Sequence, residues 1–183
     1  MPFTFTQHEM SGLVLIEQKT FDDHRGYFKE TYQQEAFAAN RITDTFVQDN
    51  VSVSARDVLR GLHFQRPPMA QAKLVTVYRG TILDVVVDLR ENSPTFKEWM
   101  ALEISARDHH ALYVPEGFAH GFLSLENDTI VHYKVSRPYS PEHDGGIRWN
   151  DPGIGVIWPV SAPRISEKDE ALPFIDDLGG SVF

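Results

Sequence analysis

KLVTVYRGTILDVVVDL, residues 73–89, gives the strongest indication of the fold class. It consists of two runs rich in Val, Ile, Leu and Thr that meet at Arg79 and Gly80, and this composition is typical of β-strands. A two-residue turn at Arg79 and Gly80 would join the runs as a hairpin. The hairpin predicts three facing pairs, which are Val77 with Ile82, Val75 with Asp84, and Lys73 with Val86.

The rest of the chain repeats this pattern of short apolar runs separated by Gly, Pro, Asn and Asp. Six further strands are predicted, at 13–21, 57–65, 98–105, 111–117, 121–126 and 129–136. Helix is expected only over 31–40 and as a short turn over 166–172, with Ser166 as N-cap and Asp169 at the third position. The spacing favours an all-β antiparallel sandwich or barrel with a few short helices over βαβ units.

Strand alternation places polar side chains on an apolar face. If the loop 65–72 closes a second hairpin, His63 lies opposite Lys73 and shares one face with Asp84, while Tyr133 lies on an apolar face of its own strand. The opposite face of this sheet is also apolar, so it needs a second cover. We expect one cover to be the second sheet and the other to be a partner subunit, which predicts a homodimer.

These polar residues each have an ordinary structural interpretation. A Lys and an Asp on an aliphatic face can form a structural ion pair or lie at a solvated rim, and a single His or Tyr is more often a core residue with satisfied hydrogen bonds. Their convergence on one concave face favours a catalytic interpretation, since such a set can abstract, stabilise and return a proton. The run RGLHFQ, 60–65, offers His63 without the second His or the Glu that a metal site needs.

Length and composition limit the class of protein. A chain of 183 residues without repeats is expected to form one domain, 1–183. It has no cysteine, which excludes disulfides and thiolate metal sites. The net charge of −9 argues against nucleic-acid binding, and no apolar run is long enough to span a membrane. The N-terminus does not resemble a signal peptide, so the cytoplasm is the expected location.

Several long runs, in order and at consistent spacing, resemble the dTDP-4-dehydrorhamnose 3,5-epimerase family, the RmlC-type cupins. The matching runs lie at 21–30, 47–96, 114–122, 133–159 and 165–169. The resemblance implies a double-stranded β-helix, or cupin jelly roll, and a homodimer without cofactor or metal. It also implies conversion of dTDP-4-dehydro-6-deoxy-D-glucose, a dTDP-linked 4-keto-6-deoxy sugar, to dTDP-4-dehydro-L-rhamnose by inversion at C3 and C5.

The resemblance also implies a catalytic set. His63 would be the base, with Asp169 accepting a hydrogen bond from its far ring nitrogen. Lys73 would stabilise negative charge at O4, and Tyr133 would return the proton from the opposite side of the sugar. Asp84 and His120 match a second charged pair of the family close to the first, with His120 binding substrate and Asp84 supporting it.

The substrate-binding residues implied by the resemblance are Arg25, Glu30, Gln48, Asp49, Asn50, Arg60, Lys73, His120, Tyr139, Asp144 and Lys168. Arg25, Arg60 and Lys168 would contact the diphosphate, and Tyr139 would stack on thymine. Asp144 stands where the family usually has Glu. The segment from Arg25 to Glu30 is expected to enter the site from the neighbouring subunit. Strict alternation puts Arg60 and His63 on opposite faces, so Gly61 must carry a bulge if both contact substrate.

Other functions remain open at this stage. A related nucleotide-sugar cupin with narrower activity, such as a 3- or 5-epimerase or a 3,4-ketoisomerase, would share the nucleotide pocket. A metal-dependent oxygenase would need ligands that the run around His63 lacks, and a binding module would not need the catalytic set. The sequence leaves open the order of the two inversions, the strictness for thymidine over uridine, and the pathway that the product serves.

Overall fold

The computed structural model describes residues 2–10, 12–179 and 182–183, and this part of the chain is mostly strand. The strands are β1 (Phe3–Gln7), β2 (Val14–Gln18), β3 (Thr20–Asp23), β4 (Gly26–Lys29), β5 (Gln48–Ser54), β6 (Leu59–Gln65), β7 (Lys73–Arg79), β8 (Thr81–Asp88), β9 (Trp99–Ser105), β10 (His110–Val114), β11 (Phe118–Ser124), β12 (Thr129–Val135) and β13 (Asp144–Gly146). The helices are α1 (Gln34–Ala39), α2 (Glu167–Glu170) and a 3-10 turn at Ile175–Asp177.

Two antiparallel sheets form the body of the molecule. One sheet has the strand order β1-β2-β10-β7-β12-β5, and the other has the order β13-β6-β11-β8-β9. The strands β3 and β4 form a separate hairpin. Consecutive strands β6 to β8 alternate between the sheets, as expected for a jelly roll. The prediction of an all-β jelly roll with a few short helices is confirmed.

The predicted hairpin at Arg79 and Gly80 is wrong. Strand β7 pairs with β10 and β12, whereas β8 pairs with β9 and β11, so this turn carries the chain from one sheet to the other. Gly80 has a φ of +78°, and a Cβ there would lie 2.5 Å from Oγ1 of Thr129, so only glycine fits. The predicted pairing of His63 with Lys73 is wrong for the same reason, since β6 and β7 also belong to different sheets.

The predicted faces are nevertheless right, because alternation along a strand does not depend on which strand lies beside it. The core between the sheets includes all four of the aliphatic residues assigned to one face, which are Val75, Val77, Ile82 and Val86. Lys73 and Asp84 are also buried there. The open end of this core is where the polar side chains gather.

The chain itself covers much of the outer face of each sheet, but Val51, Val53 and Tyr78 stay exposed on the outer face of the six-stranded sheet. Phe37 of α1 is fully buried and packs with Leu74 outside the six-stranded sheet. Ile147, Ile154 and Ile175 cover the outer face of the five-stranded sheet, where Val85 and Val87 lie. The expectation that a partner subunit covers an apolar outer face is therefore not overturned, and the homodimer stays a prediction.

The short helix α2 begins as predicted. The Ser166 side chain accepts a hydrogen bond from the backbone N–H of Asp169 and caps the helix. The cap fixes the first turn and directs the Asp169 carboxylate towards β6. None of the helices in the described ranges has the length and apolarity that crossing a bilayer requires.

Candidate active site

A polar cleft lies at the open end of the sandwich. It consists of two adjoining cavities of about 200 and 320 Å³ that share His63, Lys73, Tyr133 and Lys168 in their walls. The first cavity adds Gln48, Asn50, Tyr139 and Asp144, and the second adds Arg60, His120 and Asp169. Most of the predicted site residues therefore come together in one place, although they belong to both sheets.

His63 forms a close hydrogen bond with a buried carboxylate. Its Nε2 lies 2.7 Å from Oδ1 of Asp169, while Oδ2 of Asp169 accepts from the backbone N–H of Gly61 at 3.1 Å. Burial would raise the pKa of Asp169, but the hydrogen bonds from His63, Gly61 and Ser166 lower it below its ordinary range. Because the carboxylate stays ionised, it fixes Nε2 of His63 as the protonated nitrogen, and Nδ1 is left with a free lone pair.

A bulge in β6 brings Arg60 and His63 to the same cavity. His63 pairs with His120 and Arg60 pairs with Phe122, so three steps along β6 match two steps along β11. Gly61 lies in this bulge with a φ of +121°, and a Cβ there would lie 2.6 Å from Cα of Gly121. The predicted bulge is confirmed, and its backbone N–H also anchors Asp169.

Lys73 lies at the start of β7 and reaches across to the other sheet. Its Nζ donates a hydrogen bond to the backbone carbonyl of His63 at 3.2 Å. Burial lowers the pKa of Lys73 to about 8, although the carboxylates of Asp84 and Asp144 oppose this shift. The ammonium is therefore a localised positive charge in a site of low polarity, next to the imidazole.

His120 and Asp84 form a second pair directly beside the first, on β11 and β8. His120 Nε2 lies 2.9 Å from Oδ2 of Asp84. The side chains are 7% and 0% exposed, whereas the His63 side chain is 33% exposed. Oδ1 of Asp84 has no hydrogen-bond partner among the described residues. This pair lies deeper in the protein than the first and is less accessible to a ligand.

Tyr133 lines both cavities from the six-stranded sheet. Its strand β12 lies between β5 and β7, so that Tyr133 pairs with Asn50 on one side and with Val75 on the other. Burial raises the pKa of Tyr133, and the nearby charge of Arg60 only partly offsets this. The phenol therefore remains protonated at neutral pH and can donate a proton.

Hydrogen-bonded polar side chains line the first cavity. Gln48 Nε2 donates to Oδ1 of Asn50 at 2.9 Å, and Gln48 Oε1 accepts from the backbone N–H of Tyr139 at 3.0 Å. The Tyr139 hydroxyl donates to Oδ2 of Asp144 at 3.2 Å, and Lys168 donates to the same oxygen. An exposed tyrosine ring, amides and a cation thus surround one cavity, which suits a nucleotide.

Three residues predicted to bind substrate do not line the cleft of their own chain. Arg25 and Glu30 belong to the region of the β3–β4 hairpin and are exposed, with Arg25 bonded to Asp23. The Asp49 side chain points to the outer face of β5 and lies 2.7 Å from the Lys134 ammonium. The predicted nucleotide contact of Asp49 could therefore involve its backbone but not its side chain.

The structure adds cleft residues that the sequence analysis did not identify. Phe64, Gln65 and Gln71 line the first cavity, and Ser52 and Ser166 line the second. Ser52 could have been found from alternation, because it continues the polar face that begins with Gln48 and Asn50. No sequence signal marks Gln65, which accepts from the backbone N–H of Ser140 at 2.7 Å and so holds the loop after β12.

Comparisons with known proteins agree with this geometry. The family model for dTDP-4-dehydrorhamnose 3,5-epimerase matches residues 7–177. A dTDP-4-dehydrorhamnose 3,5-epimerase from Methanothermobacter thermautotrophicus is 49% identical over 170 residues, which are 91% of each chain.

Two solved structures have the same fold. The dTDP-4-dehydrorhamnose 3,5-epimerase of Bacillus anthracis, with TDP and PPi bound, is 46% identical with a TM-score of 0.92, over 94% of this chain and 99% of that one. The dTDP-6-deoxy-D-glucose-3,5-epimerase RmlC of Legionella pneumophila, in complex with dTDP-4-keto-L-rhamnose, is 37% identical with a TM-score of 0.92, over 96% and 94%. The chain belongs to the dTDP-4-dehydrorhamnose 3,5-epimerase family.

Proposed function

We propose that the protein is an isomerase that inverts C3 and C5 of dTDP-4-dehydro-6-deoxy-D-glucose and so forms dTDP-4-dehydro-L-rhamnose, without a cofactor or a metal. The observation that carries this proposal is the cleft itself. An imidazole oriented by a buried carboxylate shares its walls with a buried ammonium and a protonated phenol. These are the groups that proton abstraction next to a ketone requires.

The first step removes a proton from carbon. The hydrogens at C3 and C5 are both adjacent to the C4 carbonyl, so each can leave as a proton while its bonding electrons form an enolate with O4. Nδ1 of His63 would accept the proton, and Asp169 would stabilise the resulting imidazolium through Nε2. An acid or base role of this kind typically contributes about 10²–10⁴ in rate.

The second step returns a proton to the opposite side of the same carbon. Lys73 would hold the negative charge on O4 while the enolate exists, and loss of such a donor typically costs about 10²–10³ in rate. Tyr133 would then give its phenolic proton to the carbon, which restores the ketone and inverts the centre. The phenolate would regain a proton from water, and His63 would release the proton it took.

The nucleotide would occupy the first cavity. Tyr139 presents an exposed ring for stacking on thymine, and Arg60 and Lys168 provide cations for the diphosphate. The Bacillus anthracis relative was solved with TDP bound, which supports a nucleoside diphosphate as the binding group.

We also propose that the protein is a homodimer in which the segment from Arg25 to Glu30 completes the partner's cleft. The β3–β4 hairpin exposes Phe21, Tyr27 and Phe28, an apolar patch that solvent would not favour. Arg25 is exposed on the same hairpin, and its exposed ion pair with the neighbouring Asp23 contributes little to stability. The guanidinium is better suited to binding a phosphate, because its donors match the phosphate oxygens in pairs. Cytoplasmic location and the absence of nucleic-acid and membrane partners stay predictions, which cell fractionation and binding assays can check.

The proposed reaction is tested by hydrogen exchange. Purified protein, treated with a chelator, should exchange the substrate hydrogens at C3 and C5 for deuterium from D₂O, as followed by NMR. Exchange at only one carbon would replace this proposal with a narrower epimerase, and no exchange at either carbon would reject it. Tyr133→Phe should retain more of the first exchange than of product formation, because the phenol acts only in the second step.

Subunit mixing tests the dimer. Arg25→Ala and His63→Asn variants should each be nearly inactive, yet a refolded mixture should recover about a quarter of the wild-type activity, since half of the dimers then contain one intact site. An inactive mixture that contains heterodimers would show that Arg25 does not act across the interface.

A further inference from the structure

We propose that Asp144 is a positioning residue that holds Lys168 and Tyr139 together while the cleft is free, and that it yields Lys168 to the diphosphate when nucleotide binds. Asp144 thus occupies the place of an anionic ligand and sets how readily the nucleotide enters and leaves. The inference rests on the proposed function, because it requires a diphosphate in the first cavity.

A single carboxylate oxygen joins two separate parts of the chain. Oδ2 of Asp144 accepts from the Tyr139 hydroxyl, in the loop after β12, and from the Lys168 ammonium, on α2. Both donors line the first cavity, and Lys168 also lines the second. Tyr139 and Lys168, which are proposed to contact the base and the diphosphate, are therefore linked through one carboxylate oxygen before any ligand binds.

A diphosphate that binds Lys168 would have to replace Asp144, its present ion-pair partner. Arg60 donates to neutral groups, the Ser54 hydroxyl and the Val53 carbonyl, and Lys73 donates to the His63 carbonyl. Among these three cations, Lys168 alone forms an ion pair with a carboxylate within the described residues. A diphosphate near Lys168 would meet the negative charge of Asp144 at close range, so the two anions compete for one ammonium.

The two partners differ in their freedom to move. Asp144 begins β13, pairs with Gln65 of β6, and has a side chain that is only 16% exposed. The Lys168 side chain is 59% exposed and has a long flexible stem, so it can turn towards a ligand while the carboxylate stays in place. Asp144 then keeps its hydrogen bond from Tyr139, which holds the ring in position for stacking.

The Asp144 carboxylate also acts electrostatically on Lys73, in the part of the cleft where the sugar would bind. Asp144 is one of the two acidic groups that favour the charged form of Lys73, together with Asp84. A shift of Lys168 away from Asp144 therefore leaves the carboxylate less neutralised on the side that Lys73 faces. Nucleotide binding would in this way favour the protonated form of Lys73, which the proposed enolate step uses.

Calorimetric titration with dTDP and with inorganic pyrophosphate tests the inference. Asp144→Asn should bind both ligands about two- to fivefold more tightly, the range expected for releasing an ion pair whose ammonium is largely exposed. Lys168→Met should bind both more weakly. The Asp144→Asn gain should vanish in the Lys168→Met background, because the gain comes through that ammonium.

Two control variants keep the result interpretable. Asp176→Asn removes an equal charge from an exposed ion pair with Lys97, outside the cleft, and should leave Kd unchanged. Asp144→Glu keeps the carboxylate and should stay near the wild-type affinity. Each variant is also compared with the wild type by thermal unfolding.

A negative result for the Asp144→Asn variant and a negative result for the wild-type protein would have different meanings. Equal or weaker binding by a folded Asp144→Asn variant would overturn the inference, as would an undiminished gain without Lys168. In either case the proposed epimerisation would stand. Failure of the wild-type protein to bind dTDP at all would reject the proposed function and this inference together.

Discussion

The two His–Asp pairs of the cleft use the same residue types in different surroundings. His63 and His120 face each other on paired strands, and each has a carboxylate within hydrogen-bond distance of Nε2. Asp169 has both oxygens bonded, whereas Asp84 leaves one oxygen without a partner among the described residues. His63 is partly exposed to the cleft, and His120 is almost completely buried.

In the proposed mechanism this difference separates a reactive pair from a supporting one. A base must reach the carbon that it deprotonates, so exposure favours His63. The charge of the Asp84 carboxylate raises the pKa of Lys73 and so supports the ammonium. The same residue types would thus differ in role because one pair is open to the cleft and the other is buried beneath it.

The largest difference between the pairs should appear when each histidine is replaced. His63→Asn should lower deuterium exchange at C3 and C5 by about 10²–10⁴, because the base is lost. His120→Asn should cost at most about tenfold, the value of one substrate hydrogen bond. Exchange measured by NMR at saturating substrate compares the two. A loss with His120→Asn as great as that with His63→Asn would contradict the assignment of roles.

A smaller effect concerns the alkaline side of the pH profile. In the proposed mechanism Lys73 acts at O4 as an ammonium, so kcat/KM should fall as pH rises through about 8, where Lys73 loses its proton. Asp84→Asn removes a charge that favours the ammonium, so the fall should begin at lower pH. Asp169→Asn should leave the position of this fall unchanged. Identical shifts in the two variants would show that Asp84 has no special link to Lys73.

The smallest difference between the two pairs should be in stability, where replacing Asp169 should have a larger effect than replacing Asp84. Asp169→Asn should lower the free energy of unfolding by about 1–3 kcal/mol at pH 7, because it removes hydrogen bonds to a charged group. Asp84→Asn should cost less, since one of its oxygens is already unpaired. Urea unfolding of both variants measures this comparison.

The stability effect of Asp169 should also depend on pH in a defined direction. Folding lowers the pKa of this carboxyl below its ordinary value of 3.8, so its contribution is present above that value and is lost as pH falls through the lower, folded one. The wild type and Asp169→Asn should therefore converge in stability in strong acid. A constant difference down to pH 2 would contradict the linkage.

Local features of the fold could be predicted from the sequence. The faces of β7 and β8, the Ser166 cap and the bulge at Gly61 all follow from alternation, side-chain chemistry or backbone freedom within a few residues. Strand pairing could not be predicted in this way, because the neighbours of β7 are far away in sequence and their choice depends on the packing of the whole sandwich. The sequence pattern also contained no indication of β1, β4 and β13, and it joined β2 and β3 in one run over 13–21.

The site was predictable to a similar degree. Alternation and the family resemblance identified His63, Lys73 and Tyr133, which do line one cleft. They could not show that the Asp49 side chain points away, nor that two similar pairs differ in burial. Both facts depend on the outer surface of β5 and on the depth of β8 in the core, which no short stretch of sequence encodes.

Gly61 and Gly121 touch through their main chains between the two histidines. A Cβ on Gly121 would lie 2.6 Å from the carbonyl oxygen of Arg60, just as one on Gly61 would collide with Cα of Gly121. The approach of the two histidine-bearing strands is therefore limited here by contact between their main chains. A single methyl group at either glycine would force β6 and β11 apart next to the point where His63 and His120 are paired.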